Sequence, residues 1–189
     1  MGVISALLAG FLGIFIAIDW IGEVPVFFSF STKMTQQRRE ILSRMVYNVA
    51  GMLIGFIFLS KIICWLMGIE AADLEICTGI FLLVFSITVL LKGKKDSQVY
   101  AGFFSFIRGL FFKPQLLFLL VVFSSLFGIV ITLLSLALNI VIVFLLLKYV
   151  ENIVLFLKPR VLEALSKVNI LFLCMLGAML LRNGLLEVF

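Results

Sequence analysis

Long apolar runs alternate with short polar connections along this chain, at residues 3–30, 45–67, 72–91, 99–127, 128–149 and 168–188. A helix of about 20 apolar residues crosses a bilayer core of about 30 Å. The pattern predicts six membrane-spanning helices. The first and fourth runs are longer than one crossing needs, and each contains a proline: Pro25 in "DWIGEVP" and Pro114 in "IRGLFFKPQLL". Proline removes a helical hydrogen bond and clashes with the preceding turn, so both spans are expected to be discontinuous. The first run has no basic residue before it and no small-residue cleavage site, and it is read as a retained span rather than a removable signal.

The two halves echo each other. Pro25 and Pro114 lie 89 residues apart, and Gly93 in "TVLLKG" and Gly184 in "AMLLRNG" lie 91 apart. Three spans per half is an odd number, so a second copy would enter the membrane from the opposite face, the inverted-repeat plan of many secondary transporters. The expected fold is therefore all-α: a polytopic membrane protein with six transmembrane helices as a 3+3 inverted repeat, helices 1 and 4 being discontinuous. The first repeat would cover residues 1–92, a basic cytoplasmic linker 93–98, and the second repeat 99–189.

Composition agrees with a lipid solvent: 64% of the 189 residues are hydrophobic, 21 are phenylalanine and the mean hydropathy is +1.31. The connections after spans 1, 3 and 5 hold Lys33, Arg38, Arg39, Arg44, Lys92, Lys94, Lys95, Lys148, Lys158, Arg160 and Lys167, eleven of the fifteen basic residues. Basic loops stay cytoplasmic. Both termini and the acidic turn "GIEAADLE" are then expected outside the cell's inner (plasma) membrane. The net charge of +5 follows from this topology and implies no nucleic-acid partner.

Much chemistry is missing. The chain has no histidine, which removes imidazole relays and His-based metal or triad sites. Cys64, Cys77 and Cys174 have no C-x-x-C spacing, although Cys64 and Cys77 both fall near the outer face and could pair. No phosphate-binding loop is present. No enzymatic activity, cofactor or metal is expected, and any proton coupling must use carboxylates.

The chemistry that remains sits at the two interruptions. A charge at the bilayer centre costs about 2.5–3.5 kcal/mol on insertion scales, and such residues usually face a bundle interior or a pathway. Asp19 is the prime case, followed by Glu23. Gly22 frees the backbone just before Pro25, and a new half-helix starting there would offer unpaired N–H groups to an anion while unwound carbonyls suit an ammonium. At the 89-residue offset Asp19 corresponds to Arg108, and Lys113 directly precedes Pro114. The basic pair could meet the acidic break or snorkel to the headgroups. Trp20 could wall a pocket, contact an ammonium through its ring, or simply pack. Lys61 is expected to snorkel or to meet Asp73 or Glu75. Asn48 and Asn139 are expected to bond neighbouring helices, and Gly51 and Gly55, in small-xxx-small spacing, to allow close helix packing.

The stretch "DWIGEVPVFFSFSTKMTQQRREILSRM" resembles the "D-P-x-G-N-x-P…L-T…R-R" signature of the MarC family, known also for neutral amino-acid transporter (SnatA-like) members within the LysE-like transporter superfamily. The segments "GIEAADLEICTGIFLLVFSITVLL" and "VLEALSKVNILFLCMLGAMLLRNGL" look like that family's third and sixth helices. Trp20 stands where the family has proline and Glu23 where it has asparagine. Of the family's second motif, "P-L-x-x-P-x-x-x-G-P", Pro114 alone survives, with Ser105, Gly109 and Lys113 at the other positions. The resemblance implies a six-helix inner-membrane transporter of small neutral amino acids such as glycine or alanine, with Asp19, Gly22, Pro25 and Pro114 at the site. Glu23, Arg108 and Lys113 are added from the residues themselves.

Three readings stay open at this point. A carrier of glycine- or alanine-like zwitterions, coupled to protons or sodium, needs both charge signs and a small pocket. A sensor or scaffold needs neither. An ion or metal transporter needs several oxygen ligands, of which Asp19 and Glu23 supply two. A homo-oligomer is compatible with each.

Overall fold

The computed structural model describes residues 2–19, 36–92, 113–148 and 159–189. Within them the chain forms six helices: α1 Val3–Ile18, α2 Gln36–Met67, α3 Ala71–Lys92, α4 Pro114–Leu126, α5 Ile129–Lys148 and α6 Pro159–Val188. Four contain apolar stretches long enough to cross a membrane, at residues 47–67, 71–91, 129–146 and 161–188, and α1 and α4 are shorter apolar helices. The chain is an all-helical integral membrane protein. Large apolar side chains such as Tyr47, Phe58, Trp65, Val84, Phe172 and Met175 are exposed, as lipid-facing residues must be when the solvent is itself hydrocarbon.

The helix ends follow local chemistry. Asp73 lies in the first turn of α3, and its Oδ2 accepts a hydrogen bond from the Glu70 N–H at 3.1 Å, which satisfies a donor that a helix start leaves unpaired. Gly128 joins α4 to α5 at φ +84°, a left-handed turn that suits a residue without Cβ. α4 opens with Pro114 at its first position after an extended Lys113, where proline's missing N–H costs nothing.

α2 and α6 begin about nine residues earlier than the hydropathy pattern predicts. The added segments, "QQRREILSR" and "PRVLEALSK", are polar helix formers that extend the apolar spans without interruption. Residues 20–35 and 93–112, which contain the expected breaks and the start of span 4, lie outside the described residues.

Packing centres on two seams. α3 and α6 form the most extensive contact, made possible by glycine: a Cβ on Gly79 would come within 2.6 Å of the Leu181 backbone nitrogen, and one on Gly177 within 3.0 Å of the Gly79 carbonyl oxygen. Side chains on both helices would force the backbones apart. α1 lies against α5 in the second seam. Ser135 Oγ donates to the Leu7 carbonyl at 3.3 Å, and one turn further Asn139 Nδ2 donates to the Phe11 carbonyl at 3.1 Å. Asn139 thus bonds a neighbouring helix as expected, whereas Asn48 is exposed.

The glycine expectation needs correcting. Gly51 and Gly55 are exposed, with no described atom within 4 Å of a Cβ built on either; close packing occurs at Gly79, Gly177 and Gly184 instead. Spacing identifies a small-residue stripe but not the direction it faces. Cys64, Cys77 and Cys174 are all free thiols, so the Cys64–Cys77 pairing is not formed.

Candidate functional site

α1 gives out at Ile18, and Asp19 follows in the left-handed conformation with φ 49° and ψ 47°. Asp19 is the sole non-glycine residue with positive φ among the described residues. Aspartate tolerates this region better than most residues, and the Asp19 N–H donates back to the Ile16 carbonyl at 3.2 Å. A helix end leaves several carbonyls without intrahelical donors. In an apolar interior each must find one within the protein.

Two other helices supply them. Lys113, the residue that caps the start of α4, donates from Nζ to the Ile18 carbonyl at 3.0 Å. Asn169, on α6, donates from Nδ2 to the Ile16 carbonyl at 2.9 Å and to Asp19 Oδ1 at 3.1 Å. The Lys113 ammonium lies 3.9 Å from Asp19 Oδ2, so one cation serves both the negative end of α1 and the carboxylate beyond it. Asp19 is 6% exposed and Asn169 7%. Gln115, 4% exposed, is the second residue of α4.

The cluster lies deep in the bundle. At about 1.5 Å rise per residue, the helices α1 and α4 carry it about 20–25 Å from the end of the molecule where Gly128 turns the chain. Buried Ile14, Ala17, Leu116, Leu119, Leu120 and Leu173 belong to the apolar core around and above it. Higher still, the Phe123 ring closes against α1 at Gly13, where a Cβ would meet Phe123 Cζ at 2.5 Å. Among the described residues an apolar layer therefore lies between the charged cluster and that end of the bundle.

Of the residues predicted for the site, the structure brings together Asp19, Lys113 and Pro114. Trp20, Gly22, Glu23, Pro25 and Arg108 lie outside the described residues. Asn169 was missed because the sixth span was started at 168, at the membrane edge; α6 begins at Pro159 and places Asn169 about three turns inside. A signal existed: Leu162, Ser166, Asn169, Leu173, Gly177, Leu180 and Gly184 recur at helical spacing and form the buried stripe of α6.

The acidic turn is expected outside, with Lys61 snorkelling or meeting Asp73 or Glu75. Lys61 is exposed, Asp73 serves the Glu70 N–H, and Glu75 turns inward with 2% of its surface exposed.

A family model described as "MarC family integral membrane protein" matches residues 4–101, just over half of the chain. This chain belongs to the MarC family. The matched stretch includes Asp19 and ends before Lys113 and Asn169. A protein of Archaeoglobus fulgidus named "UPF0056 membrane protein" is 28% identical over 96 residues, which cover 50% of this chain and 45% of the relative. The alignment thus spans under half of that relative's length. No solved structure matches.

Proposed function

We propose that this MarC family protein is a secondary transporter of small neutral amino acids or closely similar metabolites, with its site at Asp19 and Lys113. The observation that carries this reading is the meeting, away from solvent, of a carboxylate at the end of one helix with an ammonium at the start of another. A zwitterion needs a partner of each sign. A separation of 3.9 Å is longer than the 2.7–2.9 Å of a tight charge-assisted hydrogen bond, so the pair can exchange mutual attraction for contacts with a ligand. The substrate carboxylate would take Lys113 and its ammonium would take Asp19, while Asn169 keeps hold of the helix end.

Such a site suits the 3+3 inverted repeat. Support comes from α1 and α4 meeting at opposite termini, and from the α3–α6 seam joining corresponding helices of the two halves. In that arrangement Gly22, Glu23, Pro25 and Trp20 extend the site from the first break and Arg108 from the second. In this reading the basic loops are cytoplasmic and both termini extracytoplasmic in the inner membrane, and the apolar layer at Phe123 lies on the outward side. Proton or sodium coupling would act through Asp19.

Counterflow in proteoliposomes tests the reading. Vesicles preloaded with glycine or alanine should accumulate the radiolabelled amino acid, and Asp19→Asn and Lys113→Gln should each abolish accumulation while folded protein still incorporates. Folded, incorporated protein that moves no small neutral amino acid would overturn it.

A further inference from the structure

A second polar site lies at the other end of the bundle. A cavity of about 650 Å³ opens among α1, α3, α4, α5 and α6 near the Gly128 turn, and its lining includes Glu75, Asn183 and Glu187 together with apolar walls such as Phe123, Phe127 and Leu180. Glu75 lies on the buried stripe of α3 with Ala72, Gly79 and Leu82. Gly184 makes room for it, because a Cβ there would come within 3.0 Å of Glu75 Cβ. Gly184 is one turn before Glu187, so two carboxylates on different helices converge on one cleft.

Glu75 is not satisfied by the described residues. Its Oε2 is buried and has no hydrogen-bond partner among the described residues, and no described lysine or arginine forms an ion pair with Glu75 or Glu187. The neighbouring cation, Arg182, is exposed and directs Nη2 to Asn183 Oδ1 at 3.3 Å. A buried carboxylate oxygen without a donor is unfavourable, and a second carboxylate facing the same cavity adds repulsion. A cation carrying N–H donors relieves both.

We propose that this cleft binds a primary ammonium group attached to an apolar body, with Glu75 as the principal acceptor, Glu187 as the second charge and the phenylalanine-lined wall holding the apolar part. A strongly hydrated metal ion would gain nothing from that wall. Soluble arylalkyl amines carry this chemistry directly; phosphatidylethanolamine carries the same primary ammonium on a phosphodiester, with its acyl chains further away. The site is distinct from Asp19 and Lys113 and does not depend on transport.

Binding to the full chain in phosphatidylglycerol nanodiscs tests it, with empty discs subtracted, using 2-phenylethylamine and the neutral, similarly shaped 2-phenylethanol in calorimetric titration. The amine should bind saturably and about tenfold or more tighter than the alcohol, and Glu75→Gln should remove that advantage. Glu187→Gln should weaken the amine about threefold, as an exposed charge does. Should Glu75→Gln fail to fold, Glu187→Gln and Ala9→Phe, which fills the cleft from α1, carry the test: the first must weaken amine binding and the second abolish it. Equal binding of amine and alcohol, or undiminished amine binding in folded Glu75→Gln or Ala9→Phe, overturns the proposal. A second pair of discs, matched in net charge, mixes phosphatidylglycerol with either phosphatidylcholine or phosphatidylethanolamine: weaker apparent amine affinity with phosphatidylethanolamine identifies the lipid as the occupant, and equal affinity identifies a soluble amine.

Discussion

Asp19 and Glu75 are both carboxylates on apolar helices, 6% and 2% exposed, yet their surroundings differ in kind. Asp19 is held by an amide from α6 and an ammonium from α4, and the same two side chains satisfy the carbonyls where α1 ends. Glu75 has an oxygen with no donor among the described residues and shares its cleft with a second carboxylate. A buried charge surrounded by donors is tied to the architecture, so removing a donor should damage the fold. A buried charge that no described donor holds contributes no such tie, so neutralising it should cost the fold little. The contrast separates two roles that burial alone would merge.

The strongest way to break the comparison is to strand Asp19. Lys113→Met should lower stability by about 3–5 kcal/mol, because it leaves a buried carboxylate without its cation and the Ile18 carbonyl without its donor; unfolding of the detergent-solubilised protein by denaturant would show it. A loss near zero would place Lys113 among solvated lysines. Asn169→Ala should cost about 1–3 kcal/mol by the same assay, since two acceptors lose one amide.

A double change sharpens the point. Asp19→Asn with Lys113→Met should lose less than the two single changes added, by about 1–2 kcal/mol, because neither partner is then left alone. Strict additivity would mean that the 3.9 Å approach carries no coupling. The smallest effect belongs to Glu75→Gln, which should leave stability unchanged or raise it by up to about 1 kcal/mol, since it removes a buried charge that no described donor holds. A loss comparable to that of Asn169→Ala would erase the distinction.

What could be read from the sequence follows from what lipid does to a pattern. Six helices were legible because a hydrocarbon layer demands long apolar runs, and Asp19 and Lys113 stood out because charges inside such runs are expensive. Asn169 and Glu75 were hidden by their proximity to predicted span ends, where polar residues need no explanation. For α6 the actual end lies elsewhere, at Pro159; α3 starts within one residue of the predicted end, and what the pattern did not show is that Glu75 faces inward. Gly51 and Gly55 misled for a related reason. In water an apolar stripe marks the buried face, but lipid is as apolar as leucine, so nothing in the residues around those glycines told inside from outside.

The glycine seam between α3 and α6 also limits how the molecule moves. Where backbones touch at Gly79 and Gly177, no flexible side chains lie between them to stretch or repack, and parting the two helices would break the whole contact at once. The seam behaves as a stiff spine. A displacement of α1 against α4 would leave that spine intact, and it would part the Phe123 ring from Gly13.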